Sequence, residues 1–292
     1  MEKSPKIICE IGCNHLGNFD IAMEMIKTAA EYCKVDIIKF QKRNNKELLS
    51  KDEYFKPHPV PENSYGKTYG DHREFLEFDI KQHSLLNKEC KKLGVIYSTS
   101  IWDLSSAKSV VSINPELIKV PSAINTNFKV LDYLCKNYKG KIHISLGMTK
   151  KLEEEQIVEI FEDNSRLCDL VLYHCISSYP VENDQLYLLE IERLVDTYQK
   201  KIHAIGFSGH HKGLAADIAA LAFGAEFFER HFTLDRTWKG TDHAASLEPD
   251  GLRKLCRDLR VVNKSLRMKP TEILKIEEFQ RKKLKKFQEI GS

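Results

Sequence analysis

The sequence predicts an α/β protein that folds as a (β/α)8 TIM barrel with a C-terminal helical extension. Three observations favour this fold. Short apolar, β-branched segments recur eight times in the 292 residues, amphipathic segments separate them, and no low-complexity linker divides the chain. Alternating strands and helices are typical of parallel βαβ units, and eight such units favour a closed barrel over an open doubly wound sheet.

The predicted elements follow one another along the whole chain. The strands are expected at 6–12, 35–41, 94–100, 117–122, 141–147, 170–177, 201–208 and 225–234. The segments between them, such as DIAMEMIKTAAEYC and LEEEQIVEIFEDN, carry apolar residues at helical spacing. After the eighth strand, PDGLRKLCRDLRVVNKSL predicts a helix that closes the barrel. We therefore assign residues 1–268 to the barrel domain and 269–292 to a charged helical tail.

One irregular insertion runs from about residue 44 to residue 77, after the second strand, and is rich in Pro, His, Tyr and Lys. Long loops that follow the strands of a barrel lie at the end where substrates bind. We expect this insertion to cover the substrate.

Composition excludes several classes of partner. The net charge of +3 is spread thinly along the chain, so no nucleic-acid partner is expected, and the basic run RKKLKK is interpreted as a solvated helix face. No segment approaches the ~20 apolar residues that span a membrane, so no membrane partner is expected. Eight cysteines without a CxxC pair indicate buried thiols and a cytoplasmic location.

Every predicted strand ends in polar residues, and the carboxyl ends of barrel strands form the active site. The ends carry Glu10, Asn14, Lys39, Gln41, Ser98, Thr99, Lys119, Ser122, Ser145, His174, Ser177, Ser178, Ser208, His210, Glu229 and His231. Lys39 and Lys119, with the hydroxyl groups, can bind a phosphate or carboxylate. The alternative is that each lysine only extends its ammonium group towards water, but both lie within apolar strands, which favours the anion site.

His210 and His231 follow the seventh and eighth strands, which are neighbours in a barrel. Two imidazoles that meet over the barrel can bind a divalent metal and leave positions open for substrate and water. The alternative is an ordinary core histidine bonded to a backbone carbonyl. His211 is expected to begin the next helix instead of binding metal.

Several motifs together resemble the sialic acid synthase family, over nearly the whole chain and in the correct order. They are CEIGCNHLGN (9–18), IIKFQ (37–41), GVIYSTS (94–100), IKVPSA (118–123), ISLGMT (144–149), YHCISSYP (173–180), IGFSGHHKG (205–213) and ERHFTLDRTWKGTDHAASLEPDGL (229–252). The family condenses phosphoenolpyruvate with an N-acylated hexosamine, such as N-acetylmannosamine, to form a nonulosonic acid. The resemblance thus implies a metal-dependent transferase that forms a carbon–carbon bond and works as a homodimer.

The resemblance also implies roles for individual residues. Glu10 would act as acid, base or water-positioning group. The phosphate and carboxylate of phosphoenolpyruvate would be held by Lys39, Thr99, Lys119, Ser122, Ser145 and Ser208. The sugar would be held by Gln41, Tyr179 and Asp242, with Ser177 where the family often has asparagine. His210 and His231 would bind Mn²⁺ or Mg²⁺.

The sequence departs from the family pattern on the sugar side. SGHH replaces the common SDHT, and Ile124 stands where many members have a sugar-binding glutamate. Typical members continue into an antifreeze-like domain that lends an arginine to the partner's site, so the resemblance is to a short form without it. Arg73, or else His72, is expected to supply the missing group; the alternative is that Arg73 pairs with Glu74 or Glu77.

Other functions remain as alternatives. The chain could be another phosphoenolpyruvate-using 3-deoxy sugar acid synthase, or an aldolase-type barrel in which Lys119 forms an imine. It could also be a catalytically inactive, sugar-binding relative.

Overall fold

A computed structural model describes residues 4–285, and it contains a closed barrel of eight parallel strands. Each strand pairs with its neighbours in sequence, and β8 pairs with β1 to close the ring. The strands are β1 Lys6–Gly12, β2 Ile37–Lys42, β3 Ile96–Ile101, β4 Leu117–Val120, β5 Lys141–Ser145, β6 Leu170–Cys175, β7 Ala204–Gly209 and β8 Phe227–His231. The predicted (β/α)8 barrel is confirmed.

Helices surround the barrel and fill the insertion. They are α1 Phe19–Lys27, α2 Asn45–Leu48, α3 Lys51–Phe55, α4 Tyr69–Phe75, α5 Ile80–Lys92, α6 Leu104–Ser112, α7 Phe128–Asn137, α8 Lys151–Asp163, α9 Leu189–Tyr198, α10 Ala215–Ala222, α11 Pro249–Ser265 and α12 Lys275–Leu284. A π-helical segment, Thr28–Cys33, continues α1 and packs against α11, which also contacts α10. The helix predicted after the eighth strand therefore completes the outer layer.

The strands separate two environments because successive side chains point to opposite faces. Outward-facing residues join the helices in the main hydrophobic core. Inside the barrel, the amino ends of the strands are filled by a small apolar cluster of Ile8, Ile37, Leu117, Val171, Tyr173 and Ala204. The same inner faces become polar towards the carboxyl ends of the strands, so a pocket can open only at that end.

The insertion after β2 folds over the mouth of the barrel through α2, α3 and α4. The hydroxyl group of Tyr65 donates to the carbonyl of Lys239 at 2.6 Å, and the Lys239 ammonium lies 4.9 Å from the centre of the Tyr65 ring. These contacts connect the insertion to the loop after β8. The insertion thus lies at the mouth of the barrel, and its Arg73 lines the pocket there; that it covers a substrate stays a prediction.

No helix between residues 4 and 285 is both long enough and apolar enough to cross a membrane. In the predicted tail, α12 is exposed to solvent along its length. Residues 286–292, which include Lys286 of the basic run, lie outside the described residues.

A buried ion pair anchors the chain just beyond β7. Arg230 of β8 is 1% exposed and pairs with Asp217 of α10, which is fully buried. Its guanidinium group also donates to the carbonyls of His211 at 2.6 Å and Gly213 at 3.0 Å. The pair therefore holds the segment that directly follows His210.

Asp217→Asn should lower the free energy of unfolding by about 3–5 kcal/mol, because it leaves the buried Arg230 without a carboxylate partner. Urea denaturation followed by circular dichroism measures the loss. The matched control is Asp132→Asn, which removes the exposed Asp132–Lys136 pair and should cost less than about 1 kcal/mol. Equal losses in the two variants would show that the buried pair does not anchor the loop.

Candidate active site

A pocket of about 350 Å³ opens at the carboxyl ends of the strands. The residues with a predicted role that line it are Glu10, Lys39, Gln41, Arg73, Lys119, Ser122, Ser145, Ser177, Tyr179, Ser208, His210, His231 and Asp242, whereas Thr99 does not line it. The other lining residues, to which the sequence analysis gave no role, are Arg43, Ser100, Trp102, Pro121, Ala123, Met148, Cys175, Glu229 and Thr241.

The prediction for Thr99 is corrected by the strand register. Thr99 pairs with Phe40, whose side chain lies in the outer core, whereas Ser100 pairs with Gln41 on the inner face. The hydroxyl of Ser100 accepts a hydrogen bond from Lys39 Nζ at 2.7 Å. Because side chains alternate along a strand, Ser100 takes the place in the pocket that was assigned to Thr99.

Four charged side chains form a row across the floor of the pocket, which we call the charged row: Glu10, Lys39, Glu229 and Lys119. Lys39 Nζ lies 2.6 Å from Glu10 Oε2 and 3.8 Å from Glu229 Oε2, and Lys119 Nζ lies 2.9 Å from Glu229 Oε2. Ser208 donates to the other oxygen of Glu229 at 3.0 Å. The sequence analysis placed Glu229 among the polar strand ends but gave it no role, although its place two residues before His231 puts both on one strand face.

The pKa values of the two carboxyl groups in the charged row are shifted in opposite directions. Burial raises the pKa of Glu10, and the nearby Lys39 charge offsets this only in part. Burial opposes ionisation of Glu229 as well, but the charges of Lys119 and Lys39 outweigh it and lower its pKa. Burial lowers the pKa of Lys119, whereas for Lys39 the two carboxylates outweigh burial and raise it. Glu10 is therefore the carboxyl in the row that exchanges a proton more readily.

The hydroxyl groups of Ser122 and Ser177 approach each other in the pocket because the neighbouring position, Gly147, carries no side chain. The backbone N–H of Gly147 donates to Ser122 Oγ at 3.0 Å. A Cβ atom at Gly147 would lie 2.7 Å from Ser122 Oγ and would overlap Ser177 Oγ. Glycine thus allows Ser122 and Ser177 to approach the same point, where hydroxyl donors can surround an anion.

His210 and His231 lie together in the pocket, with ring centres 5.5 Å apart. His210 Nδ1 donates to the carbonyl of Ile176 at 3.0 Å, which leaves its Nε2 as an acceptor. Burial and the neighbouring His231 lower the pKa of His210 to about 3, so its ring is neutral. His231 Nδ1 is buried without a hydrogen-bond partner, 3.8 Å from Asp242 Oδ2.

This pair fits a divalent metal with two protein ligands. Neutral imidazoles with available nitrogens are suitable ligands, and the buried Nδ1 of His231 lacks a partner. Within residues 4–285, no group of three or more His, Cys, Asp or Glu side chains is arranged to hold a metal. Substrate or water would have to complete the coordination. His211 instead contacts Asp217 at 3.1 Å, outside the pocket.

The sugar-side residues also meet at the pocket. The Tyr179 ring lies 4.1 Å from the His210 ring, and Gln41 donates to Glu10 Oε1 at 3.0 Å. Arg73 lines the pocket and forms no ion pair with a described carboxylate, because Glu77 pairs with Arg43.

His72, the second candidate for the missing cation, does not line the pocket. It is buried within the insertion beside the rings of His58 and Tyr65. Ile124 is also absent from the lining, where Ala123 lies instead.

A TIM barrel that gathers two lysines, two glutamates, several serines and a histidine pair in one pocket at the carboxyl ends of its strands has the arrangement of an enzyme active site. The NeuB family model matches residues 25–270, and the chain belongs to this family. The predicted resemblance to sialic acid synthases is thereby confirmed.

Three known proteins illustrate the similarity. The N-acetylneuraminate-9-phosphate synthase of Mus musculus is 36% identical over 274 residues, which cover 93% of this chain and 74% of the relative. The N,N'-diacetyllegionaminic acid synthase of Campylobacter jejuni is 31% identical over 265 residues, 90% of this chain and 78% of the relative. The N-acetylneuraminic acid synthetase of Leptospira borgpetersenii, solved with citrate, superimposes with a TM-score of 0.82 at 28% identity, covering 98% of this chain and 94% of that one.

Gly147→Ala should raise the KM for phosphoenolpyruvate, the substrate that the resemblance implies, by about tenfold or more, since overpacking costs about 1–3 kcal/mol. Steady-state kinetics measure the change, and thermal melting verifies that the fold is retained. Gly251→Ala on α11 is the control, because its nearest neighbouring atom would lie 3.5 Å from the new Cβ. An unchanged KM in Gly147→Ala would mean that the serine hydroxyls do not bind this substrate.

Proposed function

We propose that this chain condenses phosphoenolpyruvate with an N-acylated hexosamine to form a nonulosonic acid and inorganic phosphate. The observation that carries the proposal is the pocket itself, which combines the charged row, several serine hydroxyl groups and a histidine pair. Membership of the NeuB family supports it, since relatives are named as synthases of N-acetylneuraminate 9-phosphate and of N,N'-diacetyllegionaminic acid. Such an enzyme is a transferase that forms a carbon–carbon bond.

The anionic substrate would lie over the charged row. Lys39 and Lys119 supply positive charge, and Ser122, Ser145 and Ser208 supply hydroxyl donors for the phosphate and carboxylate. Ser100 donates where Thr99 was expected to. These groups are fixed on strands, so little reorganisation is needed when negative charge builds up on the departing phosphate.

Proton transfer would be the task of Glu10. In the reaction, C3 of phosphoenolpyruvate bonds to the aldehyde carbon of the open-chain sugar, and a water oxygen bonds to C2. Glu10 takes one proton of the water and delivers it to the aldehyde oxygen, which becomes a hydroxyl group; its carboxyl suits this because it is buried at the pocket floor and its pKa is raised by that burial. The C2–O bond to phosphate then breaks, phosphate leaves with the bonding electrons, and the second water proton passes from the C2 hydroxyl to the phosphate as C2 becomes a ketone.

The sugar would lie between the charged row and the open side of the pocket. His210 and His231 would hold a divalent cation, Mn²⁺ or Mg²⁺, which when bound supplies a Lewis acid for the aldehyde oxygen. Gln41, Tyr179 and Asp242 line the same space and offer hydrogen bonds to the sugar.

We further propose that the reaction takes place in the cytoplasm. All eight cysteines are free thiols, as expected in a reducing compartment.

The direct test is release of inorganic phosphate from phosphoenolpyruvate in the presence of a panel of N-acyl hexosamines, with the product identified by mass spectrometry. A nine-carbon acid formed from one of them supports the proposal. Borohydride treatment with substrate should leave Lys119 unmodified. Labelled Lys119 would instead favour the aldolase-type alternative, and binding without turnover would favour an inactive relative.

His210→Ala and His231→Ala should each reduce Mn²⁺ affinity and turnover by more than about 100-fold, since loss of a direct ligand exceeds the effect of losing a residue that orients one. Electron paramagnetic resonance of Mn²⁺ measures the affinity. His211→Ala is the control, and it should bind Mn²⁺ normally although it loses its contact with Asp217. Severe loss of Mn²⁺ at His211 with none at His210 would overturn the assignment of the ligands.

Affinity for phosphoenolpyruvate should decline at alkaline pH earlier than an ordinary lysine would allow. Burial lowers the pKa of Lys119, so its ammonium loses the proton, and its attraction for the anion, at a lower pH than the ordinary value of about 10.4. Lys119→Arg keeps its charge throughout and should move the rise in KM to higher pH. Superimposable pH profiles for the two enzymes would contradict a charged role for Lys119.

A further inference from the structure

One side of the pocket is formed by three side chains that we call the arginine wall: Arg43, Trp102 and Arg73. Arg43 directly follows β2, Trp102 directly follows β3, and Arg73 lies on α4 of the insertion. The guanidinium carbons of Arg43 and Arg73 each lie 5.7 Å from the centre of the Trp102 ring. Segments that are distant in sequence thus place two cations around one indole.

The arginine wall carries more positive than negative charge. Glu77 is shared by Arg43, at 2.6 Å, and by Lys42, at 3.3 Å. Arg73 has no carboxylate within 4.0 Å among residues 4–285, and its Nε and Nη2 donate only to the Tyr69 hydroxyl, at 3.1 and 2.8 Å. In the charged row, by contrast, two ammonium groups face two carboxyl groups.

The groups of the arginine wall are also mainly donors. Trp102 Nε1 is buried without a hydrogen-bond partner in the described structure, and each guanidinium presents several N–H groups. A planar guanidinium binds phosphate oxygens through two parallel hydrogen bonds. A side of the pocket with unshared positive charge and spare donors therefore suits a second anion, distinct from the one over the charged row.

The position of the wall indicates which substrate would carry that anion. Gln41, which is proposed to contact the sugar, precedes Arg43 by two residues and lines the same pocket. The charged row and the serines already serve phosphoenolpyruvate. The end of the sugar that is remote from its reacting aldehyde would therefore contact the arginine wall.

We propose that the arginine wall binds a phosphate monoester on the sugar, so that the preferred acceptor is an N-acyl hexosamine with a terminal phosphate and not the neutral sugar. This inference rests on the proposed function. The names of the relatives do not decide the point, since one is named for a phosphorylated product and another for an unphosphorylated one. Arg73 would contact the phosphate, and Arg43, held by Glu77, would orient it.

The test compares kcat/KM for N-acetylmannosamine 6-phosphate and for N-acetylmannosamine, at saturating phosphoenolpyruvate. The wild-type enzyme should prefer the phosphorylated sugar by about 100-fold or more, and Arg73→Ala should reduce that preference at least about tenfold. Arg73→Lys should retain part of it. The matched control is Arg257→Ala, which removes an exposed arginine far from the pocket lining and should keep the full preference.

Other outcomes separate the two proposals. Equal or better turnover of the neutral sugar would overturn the inference and leave the proposed function intact. A rise in the KM for phosphoenolpyruvate as large as that for the sugar in Arg73→Ala would also overturn it, because the wall would then serve the other substrate. If neither sugar is turned over, calorimetric titration with N-acetylmannosamine 6-phosphate still shows whether the arginine wall binds the phosphorylated sugar. Binding that Arg73→Ala abolishes supports the wall although the proposed function fails, and no binding overturns both.

Discussion

The charged row on the barrel floor is the constraint on which the rest of the site depends. Glu10, Lys39, Glu229 and Lys119 are all buried, and a buried charge without a partner is strongly destabilising. Each of the four is tolerated because it faces an opposite charge. The four side chains come from β1, β2, β8 and β4, so the closed barrel and its register are what bring them into line. A register shift of one residue in any of these strands would point its charged side chain outwards, into the layer of helices.

The surroundings of the row follow from the same geometry. The apolar cluster beneath it closes the amino end of the barrel, so ligands can reach the row only from the carboxyl ends. The serines, the histidine pair and the arginine wall line the same pocket as the row. In the proposed function these groups have separate tasks. The floor binds the anion and exchanges protons, the histidines hold a metal, and the outer wall selects the sugar.

The sequence predicted the barrel and the position of its pocket, because both depend on the periodicity and the order of the strands. Eight apolar segments gave the barrel, and the rule that barrel sites lie at carboxyl ends placed Lys39, Lys119 and both histidines together. It could not choose between Thr99 and Ser100, because both are hydroxyl residues and only pairing with β2 decides which one faces inwards. Arg43 belongs to no chemical pattern in the sequence, and its role depends on α4 folding back onto Trp102, a long-range contact that local pattern does not determine.

An anionic substrate would bind over a row whose charges already balance, so its negative charge should be met by a proton. The amine of Lys119, with its lowered pKa, would bind a proton more readily beside the anion, whereas Glu10 stays ionised to accept the proton of the water. Calorimetric titration of phosphoenolpyruvate at pH 8 tests this directly, in buffers of different ionisation enthalpy, since a phosphate monoester with a second pKa of about 6 is already ionised there. Net proton uptake by the complex is expected, and it should be smaller in Lys119→Arg, whose guanidinium is already charged. Binding with no uptake, or with proton release, would show that the row does not take up a proton when the anion binds.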